Sequence, residues 1–252
     1  MALKEHGKCL SEFGLPQPQL PCTEVLHEIL KWGSDSKTLL NHAQQACSQM
    51  TAEQISIYKK ITQAASQNMP LFIFIDGKAG RGKTFLMNAI CNHLHVSGCI
   101  VLPTVTSAFA AQLYPGGWTT HSTFKVKSIT QFPLSSKSQP CKKVPVNEKN
   151  EMLISSIQLG IPCTDLIKTA SLIIWDEAPM ANCAVLSCID DVCRQIMAHD
   201  APFGGKVVVL LSDFQQTCPV IPGGSQAQIM DASIHSAPQW DHVTVLRLTI
   251  PI

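Results

Sequence analysis

The chain has almost no net charge and no long apolar run. Its 19 basic and 18 acidic side chains leave a formal charge of +1, so no overall field draws the molecule to nucleic acid, and any such claim must rest on local features. No uninterrupted apolar stretch approaches the roughly 20 residues that a membrane span needs, and no membrane partner is expected. Nothing resembling a signal peptide precedes the 11 cysteines, and a chain of this length buries enough core to do without disulfide staples. Reduced, intracellular thiols are therefore expected. Cys183, Cys188 and Cys193 recur every five residues, which turns about 140° per step on a helix and keeps them from converging on one metal. Residues 1–22 contain no arginine, which argues against a transit peptide. Hydrophobic content of 45% against 15% charged residues excludes disorder and predicts a globular core.

What is present is organised around Leu71 to Met87. The apolar run Leu71–Ile75 predicts a buried strand, which stops at a glycine-rich turn leading straight into helix-forming residues. Gly77-x-x-x-x-Gly82-Lys83-Thr84 matches a phosphate-binding loop without exception, in the strand–loop–helix setting that loop requires. The backbone N–H groups of Gly77, Lys78, Ala79, Gly80, Arg81 and Gly82 are expected to curl around an anion, aided by the dipole of the following helix. Lys83 is expected to reach the β- and γ-phosphates of ATP and Thr84 to ligate Mg²⁺. A bare glycine-rich turn before a core helix is the plainer alternative.

Before this loop, residues 1–22 are punctuated by proline and predict an extended arm, followed by helices over Thr23–Trp32 and Lys37–Met50. Thr51 is a candidate N-cap with Gln54 at the third helical position, the two halves of a capping box. The Gln54 amide could equally read the N6 and N7 edge of adenine.

Beyond the loop, a helix over Phe85–His95 and a strand over Cys99–Thr104 lead to Thr106–Ala111, where another helix is expected to begin at the rim on which open α/β sheets bind ligands. Hydroxyls, a histidine and an aromatic cluster in Thr120–Phe124; they either grip a phosphodiester backbone and stack a base or form an ordinary surface loop. Residues 125–150 are rich in lysine, proline and serine and predict a flexible surface insertion, either a solvated face or one turned to DNA.

A second apolar strand, Leu172–Trp175, ends in adjacent carboxylates. Asp176 falls at the carboxyl edge where Thr84 and a metal belong, and Glu177 is placed to act as general base on water. The second carboxylate favours hydrolysis over simple transfer to a small molecule. A helix over Ala184–Ala198, a turn at Pro202–Gly205 and the strand Lys206–Leu211 then deliver Ser212-Asp-Phe-Gln-Gln216 to the same edge, where Gln216 could sense the γ-phosphate or simply belong to a hydrogen-bonded loop. A last short strand is expected at Val243–Leu248.

In order, Thr51-Ala-Glu-Gln54, Gly77–Thr84, Thr106–Ala111, Thr120–Phe124, Trp175-Asp-Glu-Ala-Pro179 and Asp213-Phe-Gln-Gln216-Thr-Cys-Pro219 resemble the successive motifs of the first motor domain of superfamily 1B DNA helicases, in particular the petite-integration-frequency (Pif) family and its Helitron-transposon relatives. Phe13-Gly-Leu-Pro16 resembles the lead-in of the Helitron type, and the likeness covers about residues 10–250. The resemblance implies a three-layer α/β sandwich of the RecA-like P-loop NTPase kind with a mostly parallel sheet. Residues 1–49 would form a small helical arm and 50–252 the first motor domain. It implies ATP and Mg²⁺ as cofactors, single-stranded DNA as partner, and 5′ to 3′ translocation in repair, recombination and telomere upkeep, in the nucleus or else the mitochondrion. Gln54 would read adenine, Gln216 would sense the γ-phosphate, and Thr106, Ser107, His121 and Phe124 would face DNA. Ser212 and Gln215 depart from the family's usual glycine and arginine, and the motifs of the second RecA-like domain are not found in these residues; that half is expected either from another chain or from a continuation beyond Ile252. A nucleotide-dependent binding module without turnover is the rival expectation, and a small-molecule kinase a more distant one.

Overall fold

The computed structural model describes residues 23–33, 35–129, 144–145, 152–213, 215, 218–221 and 223–251. In chain order its elements are α1 (Thr23–Gly33), α2 (Ser36–Gln49), α3 (Ala52–Gln67), β1 (Leu71–Gly77), α4 (Lys83–Val96), β2 (Val101–Val105), β3 (Trp118–Thr119), α5 (Thr120–Thr123), β4 (Val126–Ile129), β5 (Val144–Pro145), β6 (Met152–Ser155), α6 (Pro162–Thr169), β7 (Leu172–Asp176), α7 (Cys183–Met197), β8 (Val207–Ser212), α8 (Gln226–Asp231) and β9 (Thr244–Leu248), joined by loops and short 3-10 turns.

Six strands form one sheet in the order β3-β2-β7-β8-β1-β9, every neighbouring pair parallel. Strands buried on both faces read as unbroken apolar runs, and alternate residues along them feed two cores. Phe72, Phe74, Leu102, Ile173, Trp175, Val208 and Leu210 join residues of α6 and α7 on one face. Ile73, Ile75, Val101, Val105, Leu172, Ile174, Val209 and Leu211 join residues of α3 and α4 on the other. The result is the three-layer α/β sandwich expected. The order also matters for function: β8 runs between β7 and β1, with Asp176 opposite Leu211 and Asp76 opposite Ser212. Three strand ends therefore reach one rim side by side.

The helices of the expected arm are built into this body; residues 1–22 lie outside the described ones. α2 lies along α4, and α1 packs on α6 and α4, with Val25 buried in the first core. Trp32 of α1 stacks on His95 of α4 at 4.3 Å between ring centroids, and its indole N–H donates to Glu28 at 2.9 Å. Burial pushes His95 down to about 4, against the Glu28 carboxylate, which favours the charged ring, and with Lys31, which opposes it. Since the folded pKa lies below the unfolded value of 6.5, this site contributes fully above pH 6.5 and loses its contribution as pH falls towards 4. The expected loss is up to about 3 kcal/mol. Thermal melts at pH 7.5 and 5 should show it, and His95→Phe, which keeps the ring stack, should flatten the difference.

Two expectations need correction. No α-helix starts at Thr106; the chain bends there and makes only a 3-10 turn over Ala110–Leu113. The reason lies in the return of the chain: a Cβ on Gly117 would sit 2.4 Å from the Ala111 carbonyl oxygen, so the segment doubles back on itself before a helix can propagate. The described parts of 125–150, residues 125–129 and 144–145, are not a loose insertion either. β4 pairs antiparallel with β6, and β6 with β5, making a small sheet that packs on α7. Val126 of β4 is buried while Lys127 and Ser128 are exposed, and Phe124 is buried in the turn that precedes the strand. Lys137, Lys142, Lys143 and Lys149 lie outside the described residues.

Candidate nucleotide site

At the end of β1 the chain must turn sharply and present backbone to an anion. Gly80 and Gly82 both take φ of +75°, the left-handed region that side chains disfavour. Gly77 is closely packed, since a Cβ there would meet that of Leu248 at 3.2 Å, tighter than an ordinary contact. Lys78, Ala79 and Gly80 are exposed, and α4 begins directly at Lys83 and Thr84, so the loop crowns a helix N-terminus. The Lys83 ammonium is folded back on its own loop, donating to the carbonyls of Gly77 and Lys78.

Gln54 braces this loop from behind. The capping box is complete: the Gln54 N–H donates to Thr51 Oγ1 and Gln54 Oε1 accepts from the Thr51 N–H. Its Nε2 donates to the Arg81 carbonyl at 3.1 Å. The side chain is fully buried, so in this arrangement it serves as cap and strut rather than being presented to a base. The neighbouring Glu53, which sequence reasoning passed over, ties the same helix start to the chain after β9 by accepting from the Thr249 and Ile250 N–H groups at 2.8 and 3.3 Å.

Asp176 closes β7 at the same rim. One carboxylate oxygen accepts from the Glu177 N–H at 2.8 Å and the other from the Tyr114 hydroxyl at 2.5 Å. Burial raises the Asp176 pKa, and these two donors together with the positive charge of Lys83 oppose that rise. Tyr114 is itself pushed up, first by burial and then by the Asp176 charge, while the nearby Thr84 side chain works the other way. The Tyr114 hydroxyl thus stands bonded to Asp176 and close to Thr84. Glu177 adopts a left-handed backbone, φ 55°, and its Oε2 is buried without a hydrogen-bond partner. A buried carboxylate oxygen left unpaired in a strained backbone marks a functional site rather than a stabilising one.

These residues fit a magnesium ion. Thr84 and Asp176 offer hard oxygen donors, and the described residues contain no cluster of three or more His, Cys, Asp or Glu that would form an all-protein cage. Magnesium in phosphate-transfer sites is held in that sparse way, by one or two carboxylates with the substrate phosphates.

The remaining predicted residues fare differently. Asp213 is buried where β8 reaches the rim, and it accepts from the Gln215 N–H at 3.0 Å; Gln216 lies outside the described residues. The Thr106 hydroxyl is committed inward, donating to the Glu177 carbonyl at 2.8 Å and accepting from the Trp175 indole at 3.0 Å. Ser107 accepts from the Ala110 N–H at 3.3 Å. His121 is exposed. Phe124 is a correction: it is completely buried in the core beneath the small sheet and offers no face to a nucleic acid. The aromatics that do reach solvent on this stretch are Phe109, 83% exposed, and Trp118, 67% exposed. Nothing in their spacing distinguished them, because exposure follows from the bend and return of the chain.

A phosphate loop on β1, an acidic pair on β7 and the end of β8 between them define a RecA-like P-loop NTPase domain. More narrowly, the chain belongs to the PIF1-like helicase family, whose model matches residues 49–252. It is 26% identical over 148 residues to the ATP-dependent DNA helicase Pif1 of Psychrobacter sp. (strain PRwf-1), covering 59% of this chain and 20% of that protein. Against human ATP-dependent DNA helicase PIF1 it is 25% identical over 175 residues, covering 69% of this chain and 23% of the relative. The crystal structure of Pif1 helicase from Bacteroides in complex with ADP-AlF3 and ssDNA superposes with a TM-score of 0.58 at 23% identity, over 81% of this chain and 42% of that one. The chain thus spans less than half the length of each of these proteins.

Proposed function

We propose that residues 50–252 are the ATPase half of an ATP-dependent DNA helicase, coupling ATP hydrolysis to 5′ to 3′ movement on single-stranded DNA in repair, recombination and telomere maintenance. The observation that carries this reading is the meeting of Lys83, Thr84, Asp176 and Glu177 at one sheet rim, with Phe109 and Trp118 exposed on the adjoining segment. The Bacteroides structure, which contains ADP-AlF3 and ssDNA, supports it.

Thr84 and Asp176 would hold magnesium, which when bound neutralises charge on the β- and γ-phosphates. Lys83 exchanges its loop carbonyls for phosphate oxygens, and the exposed loop amides cradle the rest. Glu177, with an unpaired buried oxygen, accepts a proton from the attacking water. Arginines from a second motor domain are worth about 10³ to 10⁵ in rate in related nucleotide hydrolases, so these residues alone should turn over slowly and leave duplex DNA intact. Robust strand displacement by the purified chain would overturn that part. The nuclear location belongs to the same proposal, and a tagged chain excluded from the nucleus would remove it.

DNA binding supplies the direct test. Stacking on an aromatic contributes about 1 to 3 kcal/mol per base. Replacing Phe109 and Trp118 by alanine should therefore weaken oligo(dT) binding in fluorescence anisotropy by that amount per lost stack, with melting temperature little changed because both side chains are largely in solvent. Equal affinity for wild type and double variant would remove this face from the DNA path.

A further inference from the structure

Among the described residues at the nucleotide site, the Tyr114 hydroxyl is a group that none of the motifs named above contains. It sits at the close of the 3-10 turn Ala110–Leu113, only 3% of the residue is exposed, and it reaches across to the tip of β7. There it donates to Asp176 Oδ2 at 2.5 Å, beside the Thr84 side chain. A carboxylate that accepts from a phenol on one oxygen and from the Glu177 N–H on the other is fixed in rotation. The side chain therefore does a job that a magnesium site needs done before the metal arrives: it locks the carboxylate ligand next to the hydroxyl ligand.

The same residue has a second attachment. It follows Phe109 and Leu113, exposed to 83% and 54%, and the Leu113 carbonyl accepts from Asn88 of α4 at 3.3 Å. The turn carrying the phenol is thus the segment between the exposed aromatics Phe109 and Trp118, which joins those rings through the backbone to the group that holds Asp176.

We propose that Tyr114 is a positioning residue for magnesium, setting Asp176 through its hydroxyl and linking metal loading to occupancy of the Phe109–Trp118 segment by single-stranded DNA. This rests on the nucleotide-site reading above. Because coupling between two binding equilibria is reciprocal, DNA should lower the magnesium concentration needed for nucleotide binding, and magnesium with nucleotide should tighten DNA.

The test is binding rather than turnover. A fluorescent ADP analogue is titrated into the wild-type chain and Tyr114→Phe at a series of magnesium concentrations and in EDTA, with and without oligo(dT). Loss of a hydrogen bond to a charged group should raise the half-saturating magnesium concentration about ten-fold or more, leave affinity in EDTA unchanged, and abolish the shift that oligo(dT) produces in wild type. Tyr114→Leu, which also loses some packing, should show the same magnesium shift with a lower melting temperature. Identical magnesium dependence in wild type and Tyr114→Phe overturns the role of Tyr114, as does tighter magnesium binding in the variant, which would make the phenol an obstruction. Wild type that binds no nucleotide in either condition overturns the nucleotide-site reading itself, so the two failures are told apart.

Discussion

Glu177→Gln should slow DNA-stimulated phosphate release by about 10² to 10⁴, the usual contribution of a general base, while nucleotide binding persists. The change is isosteric and leaves intact the Glu177 N–H that holds Asp176 and the carbonyl that accepts from Thr106, so the local scaffold survives. What it removes is the ability of the buried, unpaired oxygen to take up a proton. The measurement also decides between the ATPase reading and a binding module that merely holds nucleotide. Release that is the same for wild type and variant, at any magnesium concentration, would mean that no hydrolysis passes through this site.

How far the sequence could be read depended on whether the signal was local. Leu71–Ile75, Leu172–Trp175 and Val207–Leu211 declare themselves as strands because burial on both faces demands unbroken apolar runs. The phosphate loop declares itself because its glycines answer to backbone geometry at Gly77, Gly80 and Gly82. Those two signals locate the rim and the residues Lys83, Thr84 and Asp176. Everything settled by tertiary context was hidden. Gln54 looks the same in sequence whether it faces a base or the Arg81 carbonyl, and only the packing of α3 behind the loop selects the latter. Tyr114 lies 62 residues from Asp176, and no spacing rule joins a turn residue to a strand tip at that distance. In Phe124-Lys-Val-Lys127 the lysines draw attention to charge, whereas the pairing of Val126–Ile129 with Met152–Ser155 of β6 is what makes a strand there and buries Phe124 in the turn before it.

That last misreading has the sharpest experimental consequence. Phe124 makes no contact with solvent and lies in the same core as Trp175, Val126, Leu153 and Val185, and its carbonyl accepts from Ser155 Oγ at 2.6 Å, stitching β6 to the end of α5. Phe124→Ala should leave a cavity under the small sheet and cost about 3 to 5 kcal/mol, which for a domain of this size lowers the melting temperature by roughly 10 °C. Phe124→Leu keeps most of the volume and should lose only a fraction of that. If Phe124 instead stacked a base, the leucine variant would melt like wild type and bind oligo(dT) more weakly by a stacking increment. The buried position requires the reverse: stability falls in order of lost volume, and DNA affinity in the folded leucine variant stays at the wild-type value. A Phe124→Leu protein with unchanged melting and weakened DNA binding would return Phe124 to the DNA face and displace Phe109 and Trp118 from it.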